Sequence, residues 1–68
     1  MAFFIKAITS SGTESRDSTA YESVETAFAV IARDFDRGSI REAWIEDRTG
    51  QIAMDWQQIL SRLQQPRP

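Results

Sequence analysis

The chain reads as a small α+β domain, with a sheet of three or four strands packed on one central helix. A short C-terminal helix completes the order β-β-α-β-β-α. Three features carry that reading. Val24, Ala27, Phe28, Ile31 and Phe35 recur at i, i+3, i+4, i+7 and i+11, which lines one face of a helix. Asp47-Arg48-Thr49-Gly50 lies between two runs of strand-forming residues and signals a hairpin. Directly after it, Trp56, Ile59, Leu60 and Leu63 return to helical spacing.

Taken in order, residues 2–8 form the first strand. Phe3, Ile5 and Ala7 fall on one side and Phe4 and Ile8 on the other, so both faces are apolar, as suits an interior strand. Ser10-Ser11-Gly12 is a turn signal. Residues 13–19, TESRDST, carry almost nothing apolar and fit either a charged edge strand paired back on the first or a loop. The central helix has two competing starts: Thr19 with Glu22 as a capping box, or Ser23 as N-cap before Val24. It should end at Arg37 and Gly38, where a cation suits the helix dipole and glycine suits a left-handed residue. If the strands before and after this helix are adjacent, they should be parallel with a right-handed crossover. Asp55 and Gln58 form a near capping box for the last helix. Residues 1–65 are expected to make a single domain, with 66–68 a frayed tail.

The hairpin admits two registers. A loop of three residues sets Asp47 opposite Gln51, Trp44 opposite Met54 and Glu46 opposite Ile52. Ile40, Trp44, Ile52 and Met54 then share a core face. A loop of four sets Ile45 against Ile52 and Ala43 against Met54, and Trp44 turns outward. The shorter loop is preferred because it buries the larger side chain, worth about 2–3 kcal/mol. Trp56 belongs to the core or to helix packing in either register.

Composition narrows the function. With 68 residues there is one core and little margin, since ordering costs roughly 1.5 kcal/mol per residue and nearly cancels the gain from burial. There is no Cys, which excludes disulfides and thiolate zinc sites, and no His, the usual metal ligand and neutral-pH base. Stability must come from tight packing or self-association, so a homodimer is an option. The opening MAFFIKAITS is too short and too soon polar for a signal peptide or membrane span, and no glycine follows Met1 for myristoylation. A cytoplasmic protein without a membrane partner is expected.

No constellation points to catalysis. Asp34 to Ile40 has the look of a calcium loop, but counted from Asp34 the positions that need glycine and glutamate hold Ser39 and Ile45. Glu42, Glu46, Asp47 and Asp55 lack a nearby electrophilic stabiliser, and three isolated glycines make no phosphate loop. No metal, no cofactor and no enzymatic activity are expected. The leading reading is a protein-interaction module, homodimeric or meeting another protein, with Trp44, Ile45, Arg41 and Phe3 as the candidate surface. The alternative is a nucleic-acid module that stacks bases on Phe3, Phe4 and Trp44 beside Lys6, Arg16 and Arg41. The net charge of −2 and the lack of a basic stripe disfavour it.

The layout of an FFI strand, a helix opened by YESVETAFAVIARDF, and the segment AWIEDRTGQIAMDW resembles small uncharacterised bacterial proteins. Their chains run strand, helix and then a hairpin with an acidic-x-x-Gly turn. The resemblance spans roughly residues 3–56 and implies a fold and a bacterial origin, with no site to carry over.

Overall fold

The computed structural model describes residues 2–65; the tail expected at 66–68 lies outside the described residues. The elements are β1 (Phe3–Thr9), β2 (Glu14–Arg16), α1 (Val24–Asp36), β3 (Ile40–Asp47), β4 (Ile52–Met54) and α2 (Trp56–Leu63). All four strands join one antiparallel sheet in the order β2-β1-β3-β4. β1 is thus interior, as suits its long apolar, β-forming run. Residues 13–19 contain the edge strand, three exposed residues paired to β1. β2 and β3 flank α1 in sequence but are not neighbours. Both are antiparallel to β1, which lies between them, so they run in the same direction one strand apart.

Backbone pairing with β1 decides where α1 starts. After β2 the chain stays along β1: Asp17 N–H donates to the Ile5 carbonyl at 3.1 Å, and Phe3 and Tyr21 exchange backbone bonds of 2.8 and 2.9 Å. A helix cannot begin while these residues are extended, so Ser23 takes the cap, its hydroxyl accepting the Thr26 N–H at 3.1 Å. At the other end Gly38 adopts φ +76°. The Ser39 N–H then reaches the Asp34 carbonyl at 3.1 Å and the Gly38 N–H the Phe35 carbonyl at 3.0 Å, a Schellman closure. α2 starts with a full capping box: Asp55 accepts from Gln58 N–H at 2.9 Å, and the Gln58 side chain accepts from Asp55 N–H at 3.0 Å.

Both helices pack on one face of the sheet. The buried core is Ile5 and Ala7 of β1, Ala43 and Ile45 of β3, Ala27 and Ile31 of α1, and Ile59 of α2. Half-buried aromatics, Phe3, Tyr21, Phe28 and Trp56, ring it. Trp56 packs on that core with its ring 5.6 Å from Phe35, tilted by 57°. α2 is also tied to α1 by Arg62, which donates two bonds to the Glu25 carboxylate at 3.0 and 2.8 Å and lies 4.3 Å over the Phe28 ring.

Two bulges overturn the expected faces of the hairpin. The turn itself is the three-residue loop: Asp47 N–H donates to the Gln51 carbonyl at 2.9 Å, and Gly50 sits at φ +88°. The Asp47 carboxylate caps it, accepting from Thr49 Oγ1 at 2.6 Å, Thr49 N–H at 2.9 Å and Gln51 N–H at 3.0 Å. Glu46 pairs with Ile52 as that loop dictates, but the next pair is Ile45 with Met54, leaving Ala53 as an extra residue. Ile52 and Met54, which simple alternation would place together, therefore face opposite sides. A second shift, between Ile8–Glu42 and Thr9–Ile40, leaves Arg41 as the extra residue on β3 and brings Ile40 to the core side with Ala43 and Ile45. Trp44 is consequently not a core residue beside Ile40 and Ile52. It lies half-buried on the outer face, while the neighbouring Ile45 is fully enclosed.

Candidate functional site

Alternation along β1 and β3 builds the face that the helices leave open. Phe4, Lys6 and Ile8 point outward from β1, and their ladder partners Glu46, Trp44 and Glu42 point outward from β3. β2 contributes Arg16 beside Lys6 and Glu14 beside Ile8, and β4 contributes Ile52 beside Glu46. Three rows cross the sheet as a result: Phe4–Glu46–Ile52, then Arg16–Lys6–Trp44, then Glu14–Ile8–Glu42. None of Phe4, Ile8, Trp44 or Ile52 packs on the core cluster, and Ile52 is 57% exposed.

The centre of the face is electrostatically organised. Trp44 donates its indole N–H to Glu46 Oε2 at 2.7 Å, and Lys6 Nζ lies 3.3 Å from the same oxygen. The indole bond first, and then the ammonium, hold the Glu46 carboxyl below its ordinary value against the opposing effect of desolvation. Glu46 is thereby kept ionised and occupied. Arg16, Glu14 and Glu42 make no ion pair among the described residues. Beside the face, Asp17 accepts the Tyr21 hydroxyl at 2.6 Å, which lowers the Asp17 carboxyl and raises the Tyr21 phenol. An open hollow of about 460 Å³ lies there, lined by Phe4, Lys6, Arg16, Asp17, Glu46 and Arg48 among others. Its acids and bases are mixed, so it favours neither anions nor cations.

The four residues expected to form one surface are not brought together. Ile45 is 0% exposed and belongs to the core. Phe3 packs on the core from the inner face. Arg41 is exposed at its bulge, where its guanidinium lies over the Gly12 turn. Only Trp44 lies on the outer face. Phe4 entered the sequence reasoning only as a base-stacking residue of the nucleic-acid alternative, and Ile8 and Ile52 were missed. The period-2 series Phe4-Lys6-Ile8 and Glu42-Trp44-Glu46 was the available signal for Phe4 and Ile8; Ile52 faces outward because the turn sets it opposite Glu46, while the bulge at Ala53 turns Met54 inward.

A second, larger groove of about 970 Å³ runs between α1 and α2, lined by Phe28, Ala32, Phe35, Arg62 and Leu63 among others. Phe35, at its mouth, is 37% exposed. Among the described residues no group of three or more acids is gathered as a metal site, and no helix is long and apolar enough to cross a membrane.

Fold and face together define a two-layer α+β domain with one sheet face uncovered by helices. Compared with protein-family models, with curated proteins and with solved structures, the chain matches none of them.

Proposed function

We propose that the chain is a non-enzymatic, cytoplasmic protein-interaction module whose uncovered sheet face is its docking surface. One observation carries this reading. Both helices pack on the inner face, while Phe4, Ile8, Trp44 and Ile52 stand on the other side outside the core. Leaving Ile52 exposed and Phe4, Ile8 and Trp44 only half-buried forgoes stabilisation that a chain of this size can hardly spare, and a partner that covers them recovers it. The absence of cysteine suits a reducing compartment. The best-placed acids, Glu46 and Asp47, each accept hydrogen bonds on one carboxylate oxygen that hold them ionised, which suits a structural role over proton transfer.

The nucleic-acid alternative uses the same face, where Phe4 and Trp44 flank Lys6 and Arg16. Glu46 neutralises Lys6, and Glu14 and Glu42 border the row, so phosphates would meet more acid than base. The test places a photo-crosslinking side chain at position 44 and, as a control, at the exposed helical position 33. Crosslinks to a polypeptide are expected from 44 and not from 33. Excess wild-type protein should compete them away, and Ile52→Asp should not. Crosslinks to nucleic acid, with oligonucleotide affinity falling steeply as salt rises, would replace this reading with the alternative. Equal crosslinking from both positions would overturn it.

A further inference from the structure

We infer that the occupant of the outer sheet face is a second copy of this chain, stacked face to face about a two-fold axis; this rests on the docking role proposed above. Charge and area support it. The face is banded, with the basic Arg16–Lys6–Trp44 row bordered on one side by Glu14–Ile8–Glu42 and on the other by Phe4–Glu46–Ile52. A two-fold axis lying in the face, across the strands and between the first two of these rows, sets each basic row over the acidic row of the other copy. Arg16 then meets Glu14 of the other copy, twice by symmetry. Lys6 lies above Ile8, between Glu14 and Glu42, and Trp44 covers the Ile8–Glu42 side. Arg16, Glu14 and Glu42 are the charges of this face that find no ion-pair partner among the described residues of their own chain. Their complement is present on an identical face.

The molecule is also slab-shaped, with Cα extents of 31 × 31 × 17 Å. A broad side of that size is large enough to hold the roughly 800 Å² per partner that a standard stable interface covers. Face-to-face stacking further encloses Ile8 and Trp44 without using either sheet edge. The edges are ill suited to pairing, being strands of only three residues, one of them charged and the other bulged.

Sedimentation equilibrium on the full chain tests this, with Arg16→Glu and Glu14→Arg as variants. Both positions are exposed on the edge strand, so folding is not at risk. Wild type should dimerise in the micromolar range or tighter. Each variant alone should self-associate about tenfold more weakly or worse, through two like-charge contacts. Mixed one to one, the variants should recover wild-type affinity as a heterodimer. A dimer unaffected by either variant, or one that mixing fails to restore, overturns the arrangement. A wild type that stays monomeric throughout overturns the second copy as occupant. In that event crosslinks from position 44 to a different polypeptide leave the docking reading standing, and their absence removes it too.

Discussion

Ile45 and Trp44 are adjacent in sequence and lie on opposite faces of the sheet, so truncating each in turn measures which one the core holds. Ile45 is 0% exposed and sits at the centre of the cluster. Ile45→Ala loses the transfer energy of the removed carbons and leaves a cavity that sheet and helix close only partly, together about 3 kcal/mol or more. A chain of 68 residues has roughly 3–10 kcal/mol in total, so this variant should be close to unfolding. Trp44→Ser removes a half-buried indole, its contact across the strand pair with Lys6 and its bond to Glu46, worth about 1 kcal/mol. With a urea m value of about 1 kcal/mol/M for a domain of this size, the midpoints should fall by about 3 M and about 1 M. Circular dichroism reads both, with each change made in the Arg16→Glu background so that self-association adds little. Trp56 remains in each variant as an independent fluorescence probe. If Trp44→Ser is as damaging as Ile45→Ala, the indole is in the core and the bulge at Ala53 is absent.

Three further outcomes follow from particular contacts. Trp44→Phe removes the indole donor, so the Glu46 carboxyl should titrate at higher pH, nearer its ordinary value, in carbon-detected NMR; no change would mean that the bond at 2.7 Å does not persist in solution. Tyr21→Phe should lower stability near neutral pH by about 1 kcal/mol or less, since the pair is partly exposed. Asp17 is held below its ordinary 3.8, so its share is present above that pH and lost as the pH falls through the folded value; Tyr21 is raised above 10.0, so its share is present below that pH and lost as the pH rises through the folded value. Urea midpoints across pH should therefore show both limbs flattened in the variant, and unaltered limbs would refute the pairing. Gly38→Ala forces a side chain into φ +76° at the close of α1 and should lose about 1 kcal/mol, seen as a fall in Tm of about 4–8 °C; an unchanged Tm would show that the Schellman closure does not form.

Most of the fold was legible because its signals are local. The stripe from Val24 to Phe35, the Ser23 cap and Gly38 specify α1 through contacts a few residues long, and Asp47 with Gly50 specifies the turn in the same way. The long apolar, β-forming run of β1 suited an interior strand, and the order β2-β1-β3-β4 places it there. Residues 13–19 were open between strand and loop, since three charged or polar residues pair only because β1 presents a free edge. The same Phe3–Tyr21 bridge that keeps the chain extended along β1 settles the choice between two plausible helix caps.

The docking face was the part that local pattern misplaced. Alternation assigns faces only while a ladder is regular, and both expected registers assumed that it was. The turn did hold Asp47 against Gln51, which under strict alternation carries Trp44 into the core. Ala53 and Arg41 each add one residue to a strand, and each extra residue reverses every facing beyond it. By itself, then, the sequence determined β1, both helices and the hairpin, their order, the cap of α2 and the turn between β3 and β4. Only the tertiary structure decided that Ile45 goes inside and Trp44 outside. The small Ala43 and the branched Ile45 fit the close contact with Ala27, Ile31 and Ile59, where an indole would hold the layers apart, and the two bulges bring Ile40 and Met54 to the same side.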